Sequence, residues 1–215
     1  MNEWGFNSIN RFARATPWLH GAITAYANYG IILFVTLLVA GWWIARRRGD
    51  TRMLAAVLIA GASTLLAVAV NQPIVAAVHE ARPYTTHPGI LVLATRSSDF
   101  SFPSDHATMA GAVVAGLWLA SRRLGVIAAA AAVIMAFSRV YIAAHYPQDV
   151  IAGLALGAAI ALVTYRLLHT VVIRAITAAR DTRLRALVTA RTPRTARPAP
   201  RPIRPDGRTS LSTGR

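Results

Sequence analysis

From position 53 to position 78 this chain carries no charged side chain. A bilayer core asks for about 20 apolar residues per helix, and a run of this length satisfies it. Inside lipid every backbone N–H and C=O must be bonded within the segment, so the run has to be helical. Composition extends the argument to the whole chain. Of 215 residues 55% are hydrophobic and 14% charged, and mean hydropathy is +0.45, too apolar for an ordinary soluble domain. Further apolar runs cover 22–45, 107–120, 124–141 and 150–165. The predicted fold is all-α, a multi-pass membrane helical bundle with about five transmembrane helices. Residues 1–21 mix Trp4, Phe6, Ile9, Phe12 and Trp18 with Asn, Arg11 and Arg14. They are too polar to span and read as an interfacial amphipathic helix.

All 23 basic residues are arginine, and net charge is +15. Clusters follow the first run (Arg46, Arg47, Arg48, Arg52), the third (Arg122, Arg123) and the fifth (Arg166). With alternating spans these places share one side, which the positive-inside rule makes cytoplasmic. The 79–105 loop and the 142–149 turn then face outward. A core over 22–170 is expected to precede a tail over 171–215. Within the tail, 174–191 suits an amphipathic helix on the inner leaflet, and 192–215, rich in Arg, Pro and Thr, suits disorder. Such a tail attracts anionic inner-leaflet lipid. Nucleic acid is the other usual partner of arginine runs, but tethering at the membrane favours lipid. There is no cysteine, which excludes disulfides and thiolate metal sites.

Three polar islands interrupt the apolar chain, all on the predicted outer side: Arg82-Pro83, Pro103-Ser104-Asp105-His106, and Ser138-Arg139 with His145 and Asp149. Ionisable groups at membrane depth are expensive and mark functional sites by default. His145 and Asp149 are four apart with Pro147 between them, and proline suits the first helical turn. Asp149 then reaches back to His145. The pair reads either as an oriented nucleophile or as a structural hydrogen bond with a helix-end charge. Arg139 is suited to fork two phosphate oxygens, or to snorkel toward the interface. Ser104 or Asp105 is a natural N-cap, and the helix start beyond it offers free amides to an anion. His106 beside that start suits a general acid. Arg82 alone is weak evidence.

Together these islands resemble the three-part signature of the type 2 phosphatidic acid phosphatase (PAP2) superfamily: Lys-x6-Arg-Pro, then Pro-Ser-x-His, then Ser-Arg-x5-His-x3-Asp. The second stands here as Pro103-Ser104-Asp105-His106, and the third is complete as Ser138, Arg139, His145 and Asp149. The resemblance covers about 22–170. It implies a two-step phosphate transfer in which His145 attacks phosphorus, Asp149 orients it, and His106 protonates the leaving oxygen and then activates water. Arg82, Ser104, Arg139 and the amides near Asp105 would hold the phosphoryl oxygens, with no metal and no cofactor required. One position departs from the pattern. The first motif's lysine should stand at Val75, and the chain has no lysine at all. His79 and Arg96 are candidate replacements, and Glu80 lies next to the site. Asp105 in place of the commoner glycine looks like the bacterial undecaprenyl-diphosphatase branch. That implies a lipid phosphate substrate, a polyprenyl diphosphate, met at the outer face of the plasma membrane. A phosphatase of phosphatidate or phosphatidylglycerol phosphate is the alternative. A non-catalytic anionic-lipid binder is the alternative from another class. A soluble vanadium haloperoxidase shares the third motif but not the spans. Oligomeric state is not legible.

Overall fold

The computed structural model describes residues 3–190. Nine α-helices, one 3-10 turn at Pro17–Leu19 and the loops between them account for these residues, with no strand among them. They are α1 (Glu3–Ala15), α2 (His20–Tyr29), α3 (Ile31–Arg48), α4 (Thr51–Val78), α5 (Pro83–Thr86), α6 (Asp105–Ala120), α7 (Arg122–Tyr141), α8 (Pro147–Ala179) and α9 (Arg185–Val188). Local chemistry sets the boundaries. α3 ends where Gly49 enters the left-handed region at φ 65°, its N–H bonding the Ala45 and Arg46 carbonyls. Asp50 then caps α4, its side chain accepting from the Met53 N–H at 3.0 Å, as a carboxylate does at a helix start. Pro147 occupies the first turn of α8.

α4, α7 and α8 are each long and apolar enough to cross a bilayer, and α2 with α3 passes the same test as a bent pair. The run expected over 22–45 is therefore not one straight span: it turns by 52° at Gly30. A Cβ at Gly30 would sit 2.5 Å from the Tyr26 carbonyl oxygen and 2.8 Å from Met135 Cε, so the turn depends on a residue without a side chain. α6 has only 16 residues, about 24 Å of helix. It is the central element, packed against α4, α7 and α8, and its buried positions fall on every face, as expected of an interior helix. Its crossing with α8 is very close. A Cβ at Gly157 would land on the Thr108 carbonyl oxygen, and one at Gly111 on that of Leu154. Small residues at helix contacts are how membrane bundles gain packing, since lipid removes the hydrophobic drive between helices.

α1 buries Phe6, Asn10 and Ala13, one face of a helix, and leaves Trp4 exposed. Asn10 clamps the loop before α6 in both directions, donating to the Leu91 carbonyl and accepting from the Leu91 N–H. At the other end of the chain α8 does not stop near 170 but continues to Ala179. The amphipathic helix expected over 174–191 is replaced by this extension, a turn and α9. Hydrogen bonds to the bundle decide the difference. Trp42 Nε1 donates to the Leu187 carbonyl, Arg46 Nε to that of Ala186, and Arg180 to Gly49 and Thr51. The stretch 192–215, expected to be disordered, lies outside the described residues.

The C-terminal ends of α4 and α7 and the N-terminal ends of α6 and α8 meet at one end of the bundle. The arginines at 46–48, 52, 122, 123 and 174 gather at the other end, where α3 finishes, α4 starts and α6 passes into α7.

Candidate active site

A cavity of about 520 Å³ opens at the first of these ends. Arg82, His106, Arg139 and His145 line it, together with Asp99 and Asp105. The three islands thus face one space although Arg82 and His145 are 63 residues apart.

His145 sits in the tight link between α7 and α8. Ala143 in that link holds φ at 63°, an uncommon conformation for a residue with a Cβ. His145 Nδ1 lies 2.8 Å from the Ser101 carbonyl oxygen and 3.6 Å from Asp149 Oδ2. A carbonyl only accepts, so in the neutral imidazole Nδ1 carries the proton and Nε2 keeps its lone pair. That lone pair faces the cavity between two guanidinium groups, with Arg82 Nη1 at 3.3 Å and Arg139 Nη2 at 3.5 Å. Burial pushes the imidazole below its ordinary pKa. Asp149 pulls it back upward, and Arg139 and Arg82 push it further down.

Asp149 is fully buried behind the histidine. Its Oδ2 accepts from Ser101 Oγ at 2.5 Å and from the Tyr146 N–H at 2.8 Å. The sequence spacing correctly brought His145 and Asp149 into one unit. It missed Ser101, which touches both through its carbonyl and its hydroxyl.

Arg82 is fixed by its Nε to the Asp99 carbonyl at 3.0 Å and by Nη1 to that of Ala144 at 3.0 Å. Arg139 extends from the last turn of α7, its Nη1 3.3 Å from the Ala27 carbonyl. Ser138, from the same island, turns away and bonds the Met135 carbonyl.

Ser104 takes the N-cap position of α6 but makes no capping hydrogen bond, against the expectation that it or Asp105 would cap. Its hydroxyl is buried without a hydrogen-bond partner. Its backbone N–H bonds the Asp149 carbonyl at 3.1 Å, tying the start of α6 to the start of α8. Asp105 does not cap either; its Oδ1 accepts from Asn71 Nδ2 at 2.6 Å and Gln72 Nε2 at 3.0 Å. The two amides stand out in the apolar run of α4, but nothing local pairs them with Asp105.

Val75 lines the cavity, as do Gln72, Ala76 and His79. The spacing i, i+3, i+4, i+7 makes one face of α4. His79 ends that helix with its ring against Phe100, centroids 4.5 Å apart. Arg96, the other candidate replacement for the lysine, stacks over Tyr84 at 5.8 Å and is not part of the cavity wall. Glu80 accepts from Gln148 at 2.9 Å.

The PAP2 superfamily pattern matches residues 56–173. An undecaprenyl-diphosphatase, BcrC of Bacillus subtilis, is 28% identical over 77% of this chain and 83% of its own. A decaprenylphosphoryl-5-phosphoribose phosphatase of Mycobacterium tuberculosis is 39% identical over 48% of this chain and 56% of its own. The crystal structure of a phosphatidylglycerolphosphate phosphatase from Bacillus subtilis superimposes with a TM-score of 0.56, at 23% identity, over 80% of this chain and 89% of that one, a likeness of fold.

Proposed function

This chain belongs to the PAP2 superfamily of membrane phosphatases, and we propose that it removes a phosphate from a polyprenyl diphosphate through a phosphohistidine at His145. The observation that carries this reading is the setting of His145 Nε2. It is a lone pair held toward a cavity, flanked by two guanidinium groups, with the opposite ring nitrogen anchored. Arginines that surround the nitrogen without substrate are placed to receive phosphoryl oxygens when a phosphate enters.

The reaction runs in two balanced steps. In the first, Nε2 attacks phosphorus, the N–P bond forms, the P–O bond to the leaving group breaks, and His106 supplies the proton that oxygen needs. Asp149 and the Ser101 carbonyl hold the Nδ1 proton as the ring becomes cationic. In the second, His106 takes a proton from water, the resulting hydroxide attacks phosphorus, and the N–P bond breaks to return neutral His145. Arg82, Arg139, Ser104 and the first amides of α6 at Asp105 stabilise the charge on the phosphoryl oxygens in both steps. Positive charge thus comes from guanidinium groups and a helix start. A prenyl tail would remain in the bilayer while its diphosphate entered the cavity at the helix ends.

The relative named for decaprenylphosphoryl-5-phosphoribose supports a second reading, a polyprenyl-linked sugar phosphate. Thr95, Ser97 and Ser98 give one wall of the cavity hydroxyl groups suited to a sugar.

Phosphate release from undecaprenyl diphosphate, a polyprenyl phosphosugar phosphate and phosphatidate, by purified protein in chelator without added metal, tests the proposal. The diphosphate should be hydrolysed fastest. Preference for the phosphosugar selects the second reading. Activity that requires added magnesium rejects the metal-free mechanism.

A further inference from the structure

A second cavity, about 580 Å³, lies at the opposite end of the bundle between the start of α4, the end of α6 and the C-terminal half of α8. Its residues do not belong to the PAP2 motifs. Arg52 enters it from α4 and Arg174 from α8, and neither makes an ion pair among the described residues. Thr170 stands four residues before Arg174 on the same face of α8, and both residues line the cavity. His169 also lines it, with its ring stacked on Tyr165 at 4.4 Å. The Nε2 of that histidine is buried without a hydrogen-bond partner, and a buried polar atom left unpaired costs free energy. Asp50 is the one carboxylate in the wall, and it is engaged by the Met53 N–H. The remaining wall is apolar, with Met53, Leu119 and Ile173.

Two guanidinium groups and a threonine beside an apolar wall match a phosphate attached to a hydrocarbon chain. Basic pockets between transmembrane helices at the membrane surface bind anionic headgroups by this combination. We propose that this cavity is a binding site for the phosphate headgroup of an anionic phospholipid, separate from the catalytic centre. Arg52 and Arg174 take the phosphate oxygens, and Met53, Leu119 and Ile173 receive the first methylenes of an acyl chain. The lipid would join α4 to α8 at the end where the arginines of the bundle collect.

The test uses the full chain in nanodiscs of phosphatidylcholine with and without phosphatidylglycerol, read by native mass spectrometry for retained lipid and by thermal unfolding. Wild type should retain phosphatidylglycerol in preference to phosphatidylcholine and unfold at a higher temperature when it is present. The R52Q/R174Q variant should bind it roughly tenfold or more weakly, while its phosphatase rate in detergent stays at the wild-type level. Both arginines are exposed, so the variant should fold, and an unchanged melting temperature in pure phosphatidylcholine checks this. Equal retention by wild type and R52Q/R174Q overturns the site. Loss of retention on removing residues 191–215 alone would transfer the binding to the tail and overturn it as well. Inorganic phosphate that stabilises the protein as much as the lipid does would make this a free-anion site and overturn the lipid assignment.

Discussion

At the scale of single residues, His145 works through two nitrogens with different surroundings, and each surrounding predicts a separate effect. Replacing His145 with alanine removes the attacking atom and should lower phosphate release by roughly three orders of magnitude or more. Asp149→Asn should cost less, about 10- to 100-fold, the worth of one charge-assisted contact. The Ser101 carbonyl at 2.8 Å still fixes the tautomer when the carboxylate at 3.6 Å is neutralised. Initial rates for the two variants under saturating substrate check the order. The acid side of the pH profile supplies an independent check. Only the neutral imidazole attacks, so activity falls as pH drops through the His145 pKa. Asp149 raises that pKa and Arg82 lowers it. The acid limb of kcat/KM should therefore move to lower pH in Asp149→Asn and to higher pH in Arg82→Gln. Shifts in the opposite directions would mean that the limb belongs to another group.

At the scale of elements, α4 and the α6–α8 crossing set what the residues can do. The face of α4 that carries Gln72, Val75, Ala76 and His79 forms one wall of the cavity, so a cation at Val75 would meet a bound phosphate. If Arg82 and Arg139 already neutralise the phosphate sufficiently, Val75→Lys leaves kcat/KM unchanged or lowers it through repulsion, and this is the expected outcome. A gain of about tenfold or more, the scale of a charge-assisted contact, would mark the natural site as short of one charge. The crossing holds the cavity floor. The Ser104 N–H bonds the Asp149 carbonyl there, and Gly157 touches the Thr108 carbonyl a turn further in. Gly157→Ala should force the helices apart, destabilise the protein by about 1–3 kcal/mol, and reduce activity with it. Gly61→Ala in α4, where a Cβ meets nothing within 4 Å, should be neutral or slightly stabilising. Melting temperatures of both variants in one detergent decide between packing and a general sensitivity of the bundle to alanine.

At the scale of the whole molecule, charge is divided between two ends. One end holds the catalytic cavity with Arg82 and Arg139, and the other holds the arginines at 46–48, 52, 122, 123 and 174 and the second cavity. Arginine-rich ends stay on the cytoplasmic side, so we expect the active site to face outward. A reporter fused after Arg215 should then behave as cytoplasmic, and a cysteine introduced at the exposed Thr86 should react with an impermeant reagent applied to intact cells. The reverse pair of results would place the substrate in the cytoplasmic leaflet. The same division predicts that lipid at the arginine end and substrate at the other bind independently, apart from coupling carried along α4 and α8.

The order of residues alone carries the helical membrane character, the location of the polar islands and the pairing of His145 with Asp149. Each of these is written in contiguous residues: an uncharged run, a cluster of arginines, a spacing of four with proline between. It did not reveal that Ser101 anchors the nucleophile from 44 residues away, because the key atom is a backbone carbonyl that every residue possesses. The Asn71–Asp105 contact, the turn at Gly30 and the continuation of α8 past 170 were equally hidden. Local propensity is neutral about them, and packing decides: two helix faces must meet before an asparagine finds its carboxylate, a glycine admits a methionine, or a C-terminal helix finds the surface that keeps it folded. The clustering of Arg52, His169 and Arg174 is of the same kind. Only the tertiary structure brings the start of α4 against the far half of α8, and only that approach turns separate residues into a site.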